Sequence, residues 1–226
     1  MVTETPASRP RAPARQRAAE SKLPQLIAAA EDIFFAKGYH TATMSDVAKA
    51  AGMSKKTVYQ LIESKAELFV ELLAHQQSLL VFPSPLPGWS VSDMLVENML
   101  CLARFLLSPE QISIVRLIMA EYTHSPELGR AFHRTRVMKA RSRLASCLCE
   151  IARRQGVVLP EPNEMAGMLF GMAIGEFHFG VLIGYRAAPG RAVLERRIRR
   201  AVDLFLAGYE LRAGPACTGE LGTDPT

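Results

Sequence analysis

The stretch that decides the fold is Thr43–Tyr59, TMSDVAKAAGMSKKTVY. It reads as two short helices joined by Ala50-Ala51-Gly52-Met53-Ser54, the pattern of a helix-turn-helix. The hydroxyl of Thr43 caps the first helix, Met44–Ala50, and Asp46 three residues on is a weaker capping-box partner. Val47 and Ala48 face the core of a three-helix unit, and Ala51 is small enough for a close helix crossing. Gly52 supplies the tight turn, where a side chain would collide or the backbone needs positive φ. Met53 plugs the core, Ser54 caps the second helix, Lys55–Leu61, and Val58 again points inward. Lys55, Lys56, Thr57, Tyr59 and Gln60 are left for the exposed face and ends of that helix.

Those side chains suit a nucleic-acid duplex. Lysines bring charge to phosphates or donate to guanine, and Thr57 reaches a base edge or a phosphate. Tyr59 offers a ring for packing and a hydroxyl for the backbone, while Gln60 is able to read adenine but sits late in the helix. Lys65 follows near the start of the next helix, placed for a phosphate, and the helix N-termini near Met44 and Lys65 aim backbone donors at anions. The alternative is a small bundle with an incidentally basic turn.

Upstream, Leu23–Lys37 carries an apolar helical stripe (Leu23, Leu26, Ile27, Ala30, Ile33, Phe34) that Gly38 stops. Residues 1–20 hold four arginines and three prolines among small residues, which reads as a disordered basic arm, either solubilising or touching DNA. Downstream, Ser64 and Glu67 form a capping box ahead of Leu68, Phe69, Leu72 and Leu73. The breaker cluster Phe82–Gly88, FPSPLPG, is the clearest interruption. Longer helical patterns follow at 91–107, 110–121, 127–155, 163–185 and 190–209. No stretch alternates apolar and polar residues, so the expectation is all-α. The domains fall as a helix-turn-helix unit at 21–67, a larger helical domain at 68–211 and a disordered tail at 212–226.

Composition narrows the function. The 226 residues are 49% hydrophobic and 22% charged with a net charge of +5, which suits a folded protein and permits, without demanding, a nucleic-acid partner. Cys101, Cys147, Cys149 and Cys217 have neither zinc spacing nor a close histidine, and so few cysteines in a chain of this size fit a reducing cytoplasm. His124 and His133 make no recognisable metal site, and no metal or cofactor is expected. Met1–Lys22 lacks the apolar segment of a secretory signal. Met165–Tyr185 is nearly all apolar, but Glu176 and His178 divide it into runs too short for a bilayer, so it reads as a core or interface helix, with no membrane partner. G-x-S-x-G, H-E-x-x-H, G-x-G-x-x-G and P-loop motifs are absent, which argues against an enzyme.

The segment LIAAAEDIFFAKGYHTATMSDVAKAAGMSKKTVYQLIESKAELF, within residues 23–69, resembles the DNA-binding domain of the tetracycline-repressor (TetR) family. The resemblance rests on F-x-x-x-G-Y-x-x-x-T at 34–43, then A-x-x-A-G-x-S-x-x-T-x-Y, then S-K-x-x-L-F, about one fifth of the chain. Ile62 replaces the usual aromatic residue and Ala66 the common glutamate, changes that bear on packing and local charge. The resemblance implies a homodimer of about nine helices per chain on a palindromic operator. Its usual mode is repression, relieved when a ligand in the C-terminal domain moves the fourth helix. Two recognition helices must meet successive major grooves about 34–36 Å apart, so a small tilt spoils the fit. An activator or dual regulator with the same head, and a structural DNA-binding protein without an effector, are the alternatives. The segments 114–133 and 164–179 resemble the C-terminal domain of members found near efflux genes.

Candidate ligand-binding residues are Met94, Phe105, Met119, Met138, Met168 and Met172, since methionine adapts to irregular apolar shapes; ordinary core filling is the alternative. Met99 and Phe177 belong to the same walls. Glu176 pairs with a ligand, or internally with Arg104 or Arg116, and His178 assists or lies satisfied at an interface. Gly167, Gly171 and Gly175 leave one smooth helical face, either a dimer seam or an intrachain contact. With Phe179, Ile198, Val202 and Phe205 they form the candidate dimer interface, a four-helix bundle with two helices from each subunit. The cluster Arg196, Arg197, Arg199 and Arg200 reads as salt-bridged or solvated, not as a DNA patch.

Overall fold

The computed structural model describes residues 14–84, 88–155 and 158–210, and every regular element among them is helical. The chain divides into two compact units, Met1–His75 and Gln76–Thr226.

The first unit contains α1 (Ala14–Lys37), α2 (Met44–Ala50), α3 (Lys55–Leu61) and most of α4 (Lys65–Ser78). Leu26, Ala30 and Phe34 of α1 meet Val47 of α2, Val58 of α3 and Leu68, Phe69 and Leu72 of α4 as a fully buried core. Burying each large side chain contributes about 1.5–3 kcal/mol. Phe34, Tyr39 and Phe69 form an aromatic triad with ring centroids 5.2, 5.5 and 6.3 Å apart. Helix α1 begins at Ala14 and so takes in residues read from sequence as part of the arm. Its opening ARQRAAE consists of strong helix formers, and Pro24 lies inside the helix. Residues 1–13 and the tail from 211 lie outside the described residues.

The second unit contains α5 (Val91–Leu106), α6 (Pro109–Ala120), α7 (Glu127–Phe132), α8 (Met138–Gln155), α9 (Pro162–Phe170), α10 (Glu176–Leu182) and α11 (Arg191–Glu210). A π-helical turn, His133–Val137, joins α7 to α8, and a second, Gly171–Gly175, joins α9 to α10. The eleven α segments therefore form nine rods among the described residues. Ser90 and Asp93 close a full capping box on α5, and Ser108 with Pro109 starts α6. Helix α5 is central: Leu95, Val96, Met99, Leu100 and Ala103 are fully buried, with α11 and α8 packed against it.

The rod Pro162–Leu182 is long and apolar enough to cross a membrane by length and composition. Glu176, in its last third, is held in ion pairs with Arg186 and Arg197, each 3.4 Å away. At its end two side chains close over the helix. A Cβ on Gly180 would meet Arg186 Cδ at 2.5 Å and Tyr185 Cε1 at 2.7 Å, so the glycine lets these two side chains lie against the helix. Arg116 secures that end by donating from Nε to Leu182 O and from Nη2 to Val181 O, both at 2.9 Å.

Candidate functional site

The helix-turn-helix is held by short-range bonds that its sequence encodes. The Asp46 amide donates to Thr43 Oγ1 at 3.2 Å and the Thr43 amide to Asp46 Oδ2 at 3.0 Å, a complete capping box. Lys37 Nζ reaches the other Asp46 oxygen at 2.6 Å. The bond from Lys37, then those from Thr43, hold the Asp46 carboxyl well below the usual carboxylate range. Gly52 adopts φ +63, the left-handed turn expected of it. Gln25 on α1 donates from Nε2 to Ala51 O at 3.0 Å, fixing the turn to the first helix. Ser54 Oγ accepts from the Thr57 amide at 3.1 Å, and the two hydroxyls lie 2.9 Å apart.

Val47, Ala48, Ala51 and Val58 are buried, while Met53 is half-buried. Ser54, Lys55, Lys56, Tyr59 and Gln60 are exposed, as is Thr43, and Met44 and Thr57 are half-buried. The surface of α3 thus offers two cations, an amide and a phenol, the last 54% exposed. Ile62, in the place of an aromatic, is 3% exposed and fills the core with a branched aliphatic side chain. Ala66 is exposed and removes charge from the surface only.

Lys65 is placed differently from expectation. Its Nζ donates to the carbonyls of Tyr39, His40 and Ala42 at 2.7, 3.1 and 3.0 Å, and lies 4.5 Å from the Tyr39 ring centroid. An ammonium has three protons, so this set engages all of them. Lys65 clamps the α1–α2 turn to the start of α4. The cap of α4 also differs in detail: the Glu67 amide donates to Ser64 Oγ at 3.1 Å, but the Glu67 carboxylate accepts from the Glu63 amide at 2.7 Å. The sequence offered no signal for the Lys65 clamp, whose bonds span 23 to 26 residues.

In the second unit a cavity of about 350 Å³ opens among α5, α8 and α9, under Gln77 and Leu80. Phe105, Phe132 and Phe170 supply aromatic walls, Leu102 and Leu144 aliphatic ones, and His178 a polar one. Both π-helical turns border it: Phe132 and Val137 flank or end one, and Phe170 and His178 bracket the other. π-Turns of this kind concentrate at functional sites. Of the expected ligand residues Phe105 lines this cavity, as does His178, read as an assistant or an interface residue, while none of the methionines does. Met94 is 5% exposed in the core, while Met119 and Met168 are 55% and 56% exposed, facing away from it. Met138 lines a neighbouring groove with Phe82 and Arg143, and Met172 another with Arg196, Arg197 and Arg200. Glu176 pairs with Arg186 and Arg197 in place of Arg104 or Arg116, because Arg116 is spent on the end of α10. A methionine stripe marks a helix face, and a face points equally well into a core, a groove or solvent.

The dimer candidates divide. No atom of another element lies within 4 Å of a Cβ built on Gly167, Gly171 or Gly175 among the described residues, so that face is open within the chain. Gly167 also lines the cavity, and Phe179 is 59% exposed. Ile198 and Val202 are a correction: both are 0% exposed, packed into the chain's own core against α5, and unavailable to a partner. Phe205 packs partly buried against the same core. Two of the four arginines are paired, Arg199 with Glu195 and Asp93 at 3.0 and 3.5 Å, and Arg197 with Glu176 and, through Nε, Met172 O at 2.9 Å, while Arg196 and Arg200 are exposed.

These features coincide with known regulators. Residues 26–72 match the family of bacterial regulatory proteins, tetR family, and residues 93–211 match the AefR-like transcriptional repressor C-terminal domain. The HTH-type transcriptional activator FasR of Mycolicibacterium smegmatis is 42% identical over 57 residues, 25% of this chain and 26% of FasR. The HTH-type transcriptional regulator UidR of Escherichia coli K12 is 27% identical over 150 residues, 66% of this chain and 74% of UidR. Among solved structures, the flavonoid-responsive regulator FrrA is similar with a TM-score of 0.72 and 26% identity, covering 84% of this chain and 97% of FrrA. A TetR-family regulator from Mesorhizobium loti gives 0.67 and 27%, covering 84% and 98%.

Proposed function

This chain belongs to the TetR family of DNA-binding transcriptional regulators, and we propose that it is a homodimeric repressor released from a palindromic operator by a small hydrophobic ligand. The observation that carries the ligand is the apolar, aromatic-walled cavity in the second unit. Repression is supported by the repressor C-terminal domain matched over 93–211, and an apolar ligand by the likeness to the flavonoid-responsive FrrA. The protein acts on promoter DNA in the cytoplasm, as a regulator and not a catalyst.

In this reading Lys55 and Lys56 neutralise phosphates, Thr57, Tyr59 and Gln60 meet the major groove and its edges, and the starts of α2 and α3, at Thr43, Met44 and Ser54, orient backbone donors to the duplex. Lys65 contributes by fixing the turn that precedes α2. Helix α4 runs from Lys65 to Ser78 and so reaches Gln77 on the cavity wall. A ligand that displaces Gln77 pulls on a rod whose first residue is clamped to the reading head. Dimerisation uses the open Gly167–Gly171–Gly175 face and Phe179.

Activation with the same head is the second reading, favoured by the match to the activator FasR. Genome-wide selection of DNA fragments bound by the purified protein separates these readings. A sharp palindrome overlapping a promoter, with transcription rising when the gene is deleted, supports repression. A site upstream of the promoter core with transcription falling supports activation. Diffuse enrichment without a motif, together with no response to apolar ligands, refutes both in favour of an architectural DNA-binding protein.

A further inference from the structure

Two neutral amides are buried where the end of α4 meets the start of α6. Gln76 is 6% exposed and Gln111 2%, within a largely apolar core. Gln111 Nε2 donates to Gln76 Oε1 at 3.1 Å. That is the one bond of the Gln111 side chain among the described residues, and its own Oε1 has none there.

A buried amide with half of its capacity unused adds little to stability, since two apolar side chains of the same shape pack there at no loss. Its physical value is direction. Apolar contact tolerates a slide, whereas a hydrogen bond holds only over a narrow range of distance and angle. A shift of the last turn of α4 along α6 leaves the Gln111 amide buried with no bond at all, so one placement is favoured over its neighbours. A single buried polar residue fixes register between packed helices in the same way.

Gln111 is a firm anchor for this purpose. Its backbone amide donates to Ser108 Oγ, the cap of α6, and Arg116 ties the same helix to the carbonyls of Val181 and Leu182. Gln76 stands on the same helix as Lys65, whose ammonium holds the turn before α2. The amide pair and the Lys65 clamp therefore lie near the two ends of one helix.

We propose that Gln76 and Gln111 are positioning residues for operator binding: their hydrogen bond sets where the last turn of α4 rests against α6, and so places the helix whose first residue clamps the helix-turn-helix. This rests on DNA binding alone and involves no effector.

The test uses the full chain, isotope-labelled in its glutamine side chains, and two duplexes of about three helical turns. One is centred on the fragment most enriched by genomic selection, and the other has the same composition shuffled. In the free protein the Gln111 Nε2 protons should exchange with water slowly beside those of exposed Gln60. The selected duplex, and not the shuffled one, should slow them about tenfold further, because a bond that favours binding is favoured by binding to the same extent. Gln76→Met/Gln111→Met keeps the shape of both side chains. It should melt no lower than wild type, bind the shuffled duplex equally and bind the selected one about tenfold more weakly. When the competent placement falls to about a third in each chain, both heads of a dimer are competent about a tenth of the time. Gln111 exchange as fast as that of Gln60, or unchanged by the selected duplex, would overturn the proposal whether or not the variant folds. Equal losses on both duplexes, or a stable variant that binds the selected duplex like wild type, would also overturn it. A wild-type protein with no preference between the duplexes would overturn operator recognition itself and the role of the pair with it.

Discussion

Replacing Lys65 with methionine removes the ammonium but keeps an unbranched stem beside the Tyr39 ring. Three carbonyls, of Tyr39, His40 and Ala42, then lose a charged donor at 2.7–3.1 Å. Hydrogen bonds to charged groups contribute about 1.5–3 kcal/mol when shielded and much less when water replaces them. Two of the three are part-buried and the third is exposed, so the net loss is about 2 kcal/mol. The loss is local, because the bonds join the start of α4 to the turn before α2. Amide hydrogen exchange is the assay, read at Ala42, whose N–H bonds Gly38 O, and at Val47, whose N–H bonds Thr43 O. Local opening should become roughly thirtyfold more frequent there. Exchange in α9 and α10 should stay as it was. Unchanged exchange at Ala42 and Val47, with a large loss of operator affinity, would refute the clamp and return Lys65 to a direct phosphate contact.

Three further outcomes are expected. Gly52→Ala meets no neighbour within 4 Å but must hold φ +63, so it should cost about 1 kcal/mol in thermal denaturation, and a loss beyond about 3 would reveal a clash the structure does not contain. Arg197→Ala should leave operator affinity within about twofold in a DNA titration, provided dimers persist, because Arg197 is occupied by Glu176 and Met172 O; a large loss with intact dimers would refute this. His178 binds its proton less readily in the fold than in the open chain, so its burial costs stability as pH falls below about 6.5, until the folded ring itself protonates. Denaturation followed by Trp89 fluorescence should therefore show a decline on that side which His178→Phe flattens.

The helix-turn-helix was legible in the sequence because its determinants are local. Thr43 with Asp46, Ser54 with Thr57 and Gly52 each act within a few residues, and each appears in the structure where the sequence placed it. The function of Lys65 was not legible, since nothing near it in the chain names carbonyls 23 to 26 residues away. The helical stripe holding Ile198 and Val202 was legible as a stripe, but periodicity gives a face and not the neighbour it meets; α5 of the same chain takes that face. The cavity was the least legible feature. Phe132, Phe170 and Leu144 have the same composition as core, and only the packing of separate rods leaves space between them. Ile62 shows the reverse: a departure from the family pattern that the structure absorbs without trace.

The second π-helical turn has a consequence for where His178 stands. An α-helix advances about 100° per residue, and a π turn accommodates one extra residue without breaking the rod. Everything beyond Gly171–Gly175 is therefore turned by about one residue relative to an uninterrupted helix. Deleting one residue there would let the rod run on as plain α-helix, with Glu176–Leu182 swung by about 100° and the imidazole carried off the cavity wall. The make-up of the chamber wall is in this sense written as a phase: a single surplus residue in a glycine-bounded turn acts as the setscrew that places one ring in that wall.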